Sequence, residues 1–304
     1  MQIGQIGDAI EYREMLIAQK GLDNLTCAVI IVSFNSQRTL SACLKSLLEQ
    51  SCPPRQIILI DSGSDHPEAL AGIEPYLAVC GFTFERSTAN IGFCAANNRG
   101  LSHLLPGIRY VLFLNPDAFV TASFIEKAAA WMERKEMTHV GALSPLLLGY
   151  DFELGKPTGL IDSAGIGRSW YGRWYDRFQG QKIAAISLRE PEEVTALCGA
   201  LMFCRFEALH HILLRPGVLM DPLFFMYKED IDLSLRLRSK GWSLYLLPHL
   251  EAYHGRGWKK DRSKMQRRLR LLSARNELRL HLRMRSACLF YSLFKYLSVL
   301  LLDF

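Results

Sequence analysis

The chain has 304 residues, 49% hydrophobic and 22% charged, with a formal net charge of +6; this is ordinary globular composition and allows one large domain or two smaller ones. The positive excess lies between Lys259 and Arg285, where Asp261 and Glu277 are the only carboxylates. The chain ahead of it is near neutral or mildly acidic, which excludes the bulk of the protein as a nucleic-acid binder. Eight cysteines show neither C-x-x-C spacing nor a Cys/His cluster of zinc type, a pattern that favours a reducing cytoplasm over a disulfide scaffold.

Residues 1–25 have no basic region leading into an apolar core, so they read as a helical extension and not as a signal peptide. Cys27 to Ser33 (CAVIIVS) is an apolar, β-branched strand. Thr39 to Gln50 places Leu40, Cys43, Leu44, Leu47 and Leu48 at helical spacing. A second strand is predicted over Gln56 to Ile60, a helix over Pro67 to Val79, a weaker strand over Phe82 to Glu85 and a helix over Phe93 to Leu105. Tyr110 to Leu114 (YVLFL) is the next strand, and Asn115-Pro116-Asp117 follows at once. Proline ends regular pairing there, so Asp117 is delivered to the end of a sheet. A helix over Ala122 to Arg134 and a strand over His139 to Leu143 complete the first half.

Strands alternating with helices predict a mostly parallel sheet with right-handed crossovers. Ligands of such sheets bind at the carboxyl ends of the strands, where Asn35, Asp61, Asp65 and Asp117 collect. The alternation breaks after Pro145. Residues 146–195, rich in glycine and aromatics, read either as an acceptor-binding insertion or as a packed hairpin. Strand character returns at Leu197 to Arg205. Ile231 to Arg238 alternates like a strand, but Glu229-Asp230 ahead of it and the Asp232/Arg236 spacing favour a helix. Trp242 to Leu247 is a strand ended by Pro248, and Lys259 to Leu282 is a long basic helix. Ala287 to Leu302 is apolar but short of a bilayer span and interrupted by Lys295. It reads either as a terminal helix packed on the core or as a membrane-surface helix.

Taken singly these acids are ordinary: an Asp after a strand is usually a turn residue, and Glu229-Asp230 suits any helix start. Their order is more specific. VIIVSFNS (29–36), LIDSGSD (59–65), NIGFCAANNRG (90–100), LFLNPDA (112–118), CGALMFCR (198–205), FFMYKEDIDLSLRLRSKGW (224–242) and YHGRG (253–257) together resemble the inverting nucleotide-sugar glycosyltransferases of family 2, with the GT-A fold. Among these the chain is most similar to rhamnosyltransferase-type members.

The resemblance implies a role for each matching residue. Asp117 would ligate Mg²⁺ or Mn²⁺ on the donor diphosphate, with Asn115 standing where the family's motif has its first carboxylate. Asp61 would contact the nucleotide, Ser33 and Asn35 would form the other wall of that pocket, and Asp65 would orient the nucleotide or cap the following helix. Asn90, Gly92 and Asn97 would line the nucleotide and sugar-phosphate site. Asp230 would be the general base, with Glu229 able to exchange roles with it, and His254 would bind the metal or the diphosphate. Lys259, Lys260 and Arg262 would clamp the diphosphate or begin a solvated face.

The implied partners are a dTDP- or UDP-sugar donor and a glycan or lipid-linked glycan acceptor. The implied division is a catalytic domain over 26–258, with a nucleotide-binding half (26–144) and an acceptor-binding half (145–258). A basic arm over 259–304 would give peripheral contact with the inner face of the cytoplasmic membrane. Two other functions compete. A sugar nucleotidyltransferase would carry a glycine-rich basic loop after the first strand, where Phe34-Asn35-Ser36 stands instead. A membrane-surface binding module acting through the arm would leave the acidic sheet edge unexplained.

Overall fold

A computed structural model describes residues 26–66, 68–256 and 265–302; the extension expected over 1–25 and the residues Lys259, Lys260 and Arg262 lie outside the described residues. In chain order the first half forms β1 (Cys27–Ser33), α1 (Leu40–Leu48), β2 (Gln56–Asp61), α2 (Glu74–Leu77), β3 (Phe82–Arg86), α3 (Phe93–Ser102), β4 (Tyr110–Leu114), β5 (Ala118–Val120) and α4 (Phe124–Met132). The second half forms β6 (Val140–Asp151), β7 (Lys156–Ser163), β8 (Ile166–Arg168), β9 (Trp174–Asp176), β10 (Glu192–Glu193), β11 (Leu201–Arg205), α5 (Phe206–His211), α6 (Glu229–Ser239), β12 (Ser243–His254), α7 (Arg267–Arg283) and α8 (Leu289–Leu302).

The main sheet runs β10-β12-β6-β11-β4-β1-β2-β3, with β5 paired to β12 and β7 to β6. Its β3-β2-β1-β4 half is entirely parallel. Every residue of β1, β2 and β4 is buried, which is why these strands read as unbroken apolar runs: helices cover both faces. Leu40, Cys43, Leu44 and Leu47 of α1 are nearly inaccessible to solvent, and each leucine so buried contributes on the order of 2 kcal/mol. β11 enters antiparallel between β4 and β6, and β12 returns parallel to β6.

Several predicted boundaries fail, two of them for identifiable reasons. The helix over Pro67 to Val79 shrinks to the single turn Glu74–Leu77. β6 does not stop at Leu143 but runs through Pro145 to Asp151. β11 pairs β6 only at Ala142 and Leu143, and β7 begins pairing at Leu147, so Pro145 falls in the gap between two partners. β12 likewise passes Pro248 and reaches His254, because the proline sits inside the register shift between Leu247 and Glu251, where a missing N–H is tolerated. The Leu197 to Arg205 strand begins only at Leu201. β6 spans residues 140–151, so the two halves of the expected catalytic domain share one sheet. Residues after Pro145 form strands: β7 on the edge of β6, then the separate β8–β9 hairpin.

The alternating Ile231–Arg238 segment is helical, within α6. Ile231, Leu233, Ser234 and Leu237 are buried, and Arg236 Nε donates to Asp232 at 2.9 Å one turn away. All eight cysteines are free thiols, six of them buried. Among the described residues no helix is long and apolar enough to cross a membrane.

Candidate active site

The carboxyl ends of β1, β2 and β4 lie side by side, with Ile31 opposite Leu114 and Ser33 opposite Asp61. Around the first two strand ends the expected nucleotide-site residues are brought together. Asn35, at φ 53°, donates from Nδ2 to Asp65 at 2.6 Å and from its backbone to Ser64 Oγ at 2.8 Å. Ser62 Oγ donates to Asn90 Oδ1, which also accepts the Gly92 N–H. Asp61 is wholly buried and turned to Ser64 and to Arg86, whose Nε lies at 3.2 Å. Asp65 faces Asn35 and caps no helix. Asn97 is buried and donates back to Phe93 O within α3. Ser33 Oγ is buried and, among the described residues, has no hydrogen-bond partner.

A second group forms where β5 pairs with β12. The ladder sets His254 opposite Ala118, and the Gly255 N–H donates to Asp117 O at 2.8 Å. His254 Nε2 therefore faces Asp117 Oδ1 at 3.3 Å, while Nδ1 is hydrogen-bonded to Asp162 at 2.8 Å. Burial alone would lower the imidazole, but Asp117 and Asp162 on its two nitrogens raise it to about 9. Asp162 is held below the usual carboxylate range despite burial, through His254 and Arg256. Arg256 spans Asp162 at 2.7 Å and Asp176 at 2.9 Å.

The third group is the start of α6. Tyr227 and Lys228 have φ of 71° and 72° and Phe225 has 62°, a left-handed run that non-glycine residues adopt at a cost of about 1 kcal/mol or more each. Asn276, fully buried on α7, shares its amide hydrogens among the carbonyls of Phe224, Met226 and Tyr227 at 2.7, 2.9 and 3.0 Å. The clasped loop launches Glu229 and Asp230 into a cavity of about 360 Å³ that Asn115, His254, Arg256, Asp176 and Trp174 also line.

The two carboxylates sit in different surroundings. Asp230 accepts the N–H of Gly199 at 3.0 Å and that of Ile231 at 2.8 Å. Glu229 is buried, and among the described residues its Oε2 has no partner. Burial, then the neighbouring Asp230, pushes Glu229 up to about 8. Burial raises Asp230 too, but the two N–H groups oppose the shift. The two N–H donors favour the charged form of Asp230, and nothing comparable offsets the burial of Glu229, so Asp230 is the better placed of the two to carry the charge. Environments that push two acids apart in this way separate their roles.

Among the described residues there is no cluster of three or more His, Cys, Asp or Glu side chains arranged to hold a metal. The donor set at Asp117 is a pair, with His254 oriented through its other nitrogen by Asp162, the arrangement common behind metal-ligating histidines. One carboxylate and one imidazole suit a cation that takes its remaining ligands from phosphates and water. Asp162, Asp176, Arg256 and Asn276 carried no assignment from sequence. Arg256 stands inside YHGRG and was within reach. Asp162 and Asp176 sit on β7 and β9, where their spacing marks no motif.

Comparison with known proteins identifies the family and the fold. The family model described as "Glycosyl transferase family 2" matches residues 28–213. An N-acetylglucosaminyl-diphospho-decaprenol L-rhamnosyltransferase of Mycobacterium tuberculosis is 25% identical over 249 residues, 74% of this chain and 75% of its own length. A cholesterol galactosyltransferase of Borreliella burgdorferi is 34% identical over 99 residues, covering 33% of this chain and 27% of that protein. Among solved structures, GalNAc-T7 with UDP, GalNAc and Mn²⁺ shares the fold at a TM-score of 0.62 and 18% identity, over 84% of this chain and 47% of that one. The mannosyltransferase PcManGT of Pyrobaculum calidifontis, in complex with GDP-Man and Mn²⁺, gives 0.55 and 16%, over 90% and 70%.

Proposed function

The chain belongs to glycosyl transferase family 2, and we propose that it is a metal-dependent, inverting member that moves a single sugar from a nucleotide-diphosphate donor to a glycan or lipid-linked glycan. The observation that carries this reading is the convergence of the Asp117–His254 pair and the Glu229–Asp230 pair on one sheet edge, the second pair and His254 lining one cavity. Family membership sets aside the nucleotidyltransferase reading.

In this mechanism Ser33, Asn35, Asp61, Asp65, Asn90, Gly92 and Asn97 build the nucleotide pocket, directly or by holding its walls. Asp117 and His254 hold Mg²⁺ or Mn²⁺, which when bound neutralises the diphosphate leaving group. Asn115 supplies a neutral amide beside them. Asp230 accepts the proton of the acceptor hydroxyl as its oxygen bonds to the anomeric carbon from the face opposite the departing diphosphate. The Gly199 and Ile231 N–H groups keep Asp230 ionised for that task, while Glu229 stays neutral beside it. The donor sugar favoured by the resemblance, and by the name of the mycobacterial relative, is rhamnose; the resemblance places it on dTDP, and UDP-hexoses are the competing donors. That relative's diphospho-decaprenol acceptor supports a lipid-linked acceptor here.

The test is a donor screen by thermal shift with UDP, dTDP and GDP, each with and without Mn²⁺, since a bound ligand raises apparent stability. Stabilisation by one nucleotide that depends on Mn²⁺ and vanishes in Asp117→Ala is expected. Asp230→Asn should retain that shift while losing transfer by about 10²-fold or more. No metal-dependent shift with any nucleotide, or normal turnover by Asp230→Asn, overturns the reading.

A further inference from the structure

α8 is built inside out for a surface helix. Its one charged side chain, Lys295, points inward and pairs with Glu277 of α7, which has no solvent exposure. Its outer face carries Phe290, Leu293, Phe294, Leu297 and Leu301, at i, i+3, i+4, i+7 and i+11, with Phe290 80%, Phe294 71% and Leu301 74% exposed. A contiguous exposed apolar stripe of this size marks an interaction surface.

What surrounds the stripe selects its occupant. Arg285 is exposed at the turn leading into α8, and at the other end Arg267 donates to Leu300 O beside the exposed Arg268. From residue 265 to residue 285 the only carboxylate is Glu277, and it is the inward partner of Lys295. The stripe is thus flanked by cations with no exposed acid on that helix. A second copy of the chain, docking by the same face, would bring these arginines against each other. An anionic bilayer surface answers both features, taking the apolar side chains below the headgroups and pairing the arginines with them.

A separate element adds an aromatic anchor. Trp170, 92% exposed, sits on the turn between β8 and β9. It stands next to the start of α8: Tyr171 meets Tyr291 at 5.1 Å between ring centroids, and Cys288 Sγ lies 3.8 Å from Trp170 O. Tryptophan is favoured at the headgroup level of membranes. The same hairpin continues into Trp174, Tyr175 and Asp176, which line the cavity holding Asp230.

We propose that α8 and Trp170 form a docking surface for the interfacial region of an anionic bilayer, with the β8–β9 hairpin bridging from that surface to the cavity. The bridging role rests on the reading of a lipid-linked acceptor; the docking does not. The experiment is flotation of the full chain with vesicles of phosphatidylglycerol mixed with phosphatidylcholine, and with phosphatidylcholine alone. Binding to the anionic vesicles is expected, weakening as salt is raised, with a blue shift in tryptophan fluorescence that Trp170→Ala removes. Phe290→Ser/Phe294→Ser should weaken binding by about tenfold or more, with an unchanged thermal melt and unchanged transfer to a soluble acceptor sugar. Arg268→Glu/Arg285→Glu should flatten the salt dependence. Absence of binding to anionic vesicles, or binding that ignores Phe290→Ser/Phe294→Ser, overturns the proposal. So does a wild-type dimer that this double variant converts to monomer without any vesicle binding. Failure of transfer to soluble acceptors in the wild type would instead strike the proposed function, leaving vesicle binding as a separate readout.

Discussion

Replacing Glu229 with Gln tests the division of labour between the two α6 carboxylates without touching the base itself. In the unfolded chain this glutamate ionises near its ordinary value of 4.5, whereas in the fold it is raised to about 8. A carboxyl with a raised folded value binds more protons folded than unfolded, so stability falls as pH rises between those two values. At about 1.4 kcal/mol per unit, the interval between pH 5 and pH 8 costs the wild type at most about 3 to 4 kcal/mol through this residue. His254, raised to about 9, also loses its stabilising contribution as pH rises above its ordinary 6.5, so the wild-type slope has two sources. The difference between wild type and Glu229→Gln removes the shared part. Urea denaturation in the presence of a chelator, at pH 5, 6, 7 and 8, should give curves that approach each other at pH 5, apart from a constant offset for burying an amide. They should separate progressively toward pH 8 in favour of the variant. Parallel curves over the whole range would show that Glu229 is ionised in the fold, and the assignment of the charge to Asp230 would fall with it.

Substitutions at three further positions probe the supports of the site. Asn276→Ala removes the clasp on three carbonyls of the left-handed loop, held by two amide hydrogens at about 1 kcal/mol each; a loss of about 2 kcal/mol in urea denaturation is expected, together with slower transfer. Asn276→Asp, which supplies no donor there, should not restore either. Asp162→Asn should leave the fold standing but weaken Mn²⁺-dependent donor binding by about 10- to 100-fold, as loss of a histidine's orienting partner does, measured by titration calorimetry. Gly92→Ala forces a side chain onto φ +80° and sets its Cβ 2.4 Å from the Phe225 ring. It should cost about 2 kcal/mol or more through strain and overpacking and disturb the loop that Asn276 holds, read as a lower midpoint in the same urea experiment.

The parts of the fold that were legible before the structure share one property: a local pattern with a single physical cause. β1 and β4 are buried on both faces, and their limits coincide with the apolar runs. Asp117 was placed at the sheet edge because a proline follows the strand. Pro145 and Pro248 misled for the same reason, since both strands continue where a ladder gap or a register shift absorbs the missing donor. The clearest inversion is α7. Its charged sequence reads as a solvated face, yet Asn276, Glu277 and His281 are fully buried and its polar side chains turn inward to hold the α6 loop and α8. Hydrophobic periodicity carries no information about a helix whose buried face is polar. Asp162 and Asp176 were invisible for a related reason, because each matters only through Arg256, a partner distant in sequence.

The ladder between β5 and β12 has a consequence for the order in which the protein becomes competent. Asp117 leaves the ribosome with the first half of the chain, alongside the whole of the parallel β3-β2-β1-β4 layer, but His254 is the last residue of the final strand. Contacts of such sequence separation form late. A chain released or cleaved before β12 would present Asp117 without its imidazole partner or the inner flank of the cavity. Metal-dependent donor binding would then act as a completion signal, appearing only when the sheet has been closed from both ends of the catalytic region.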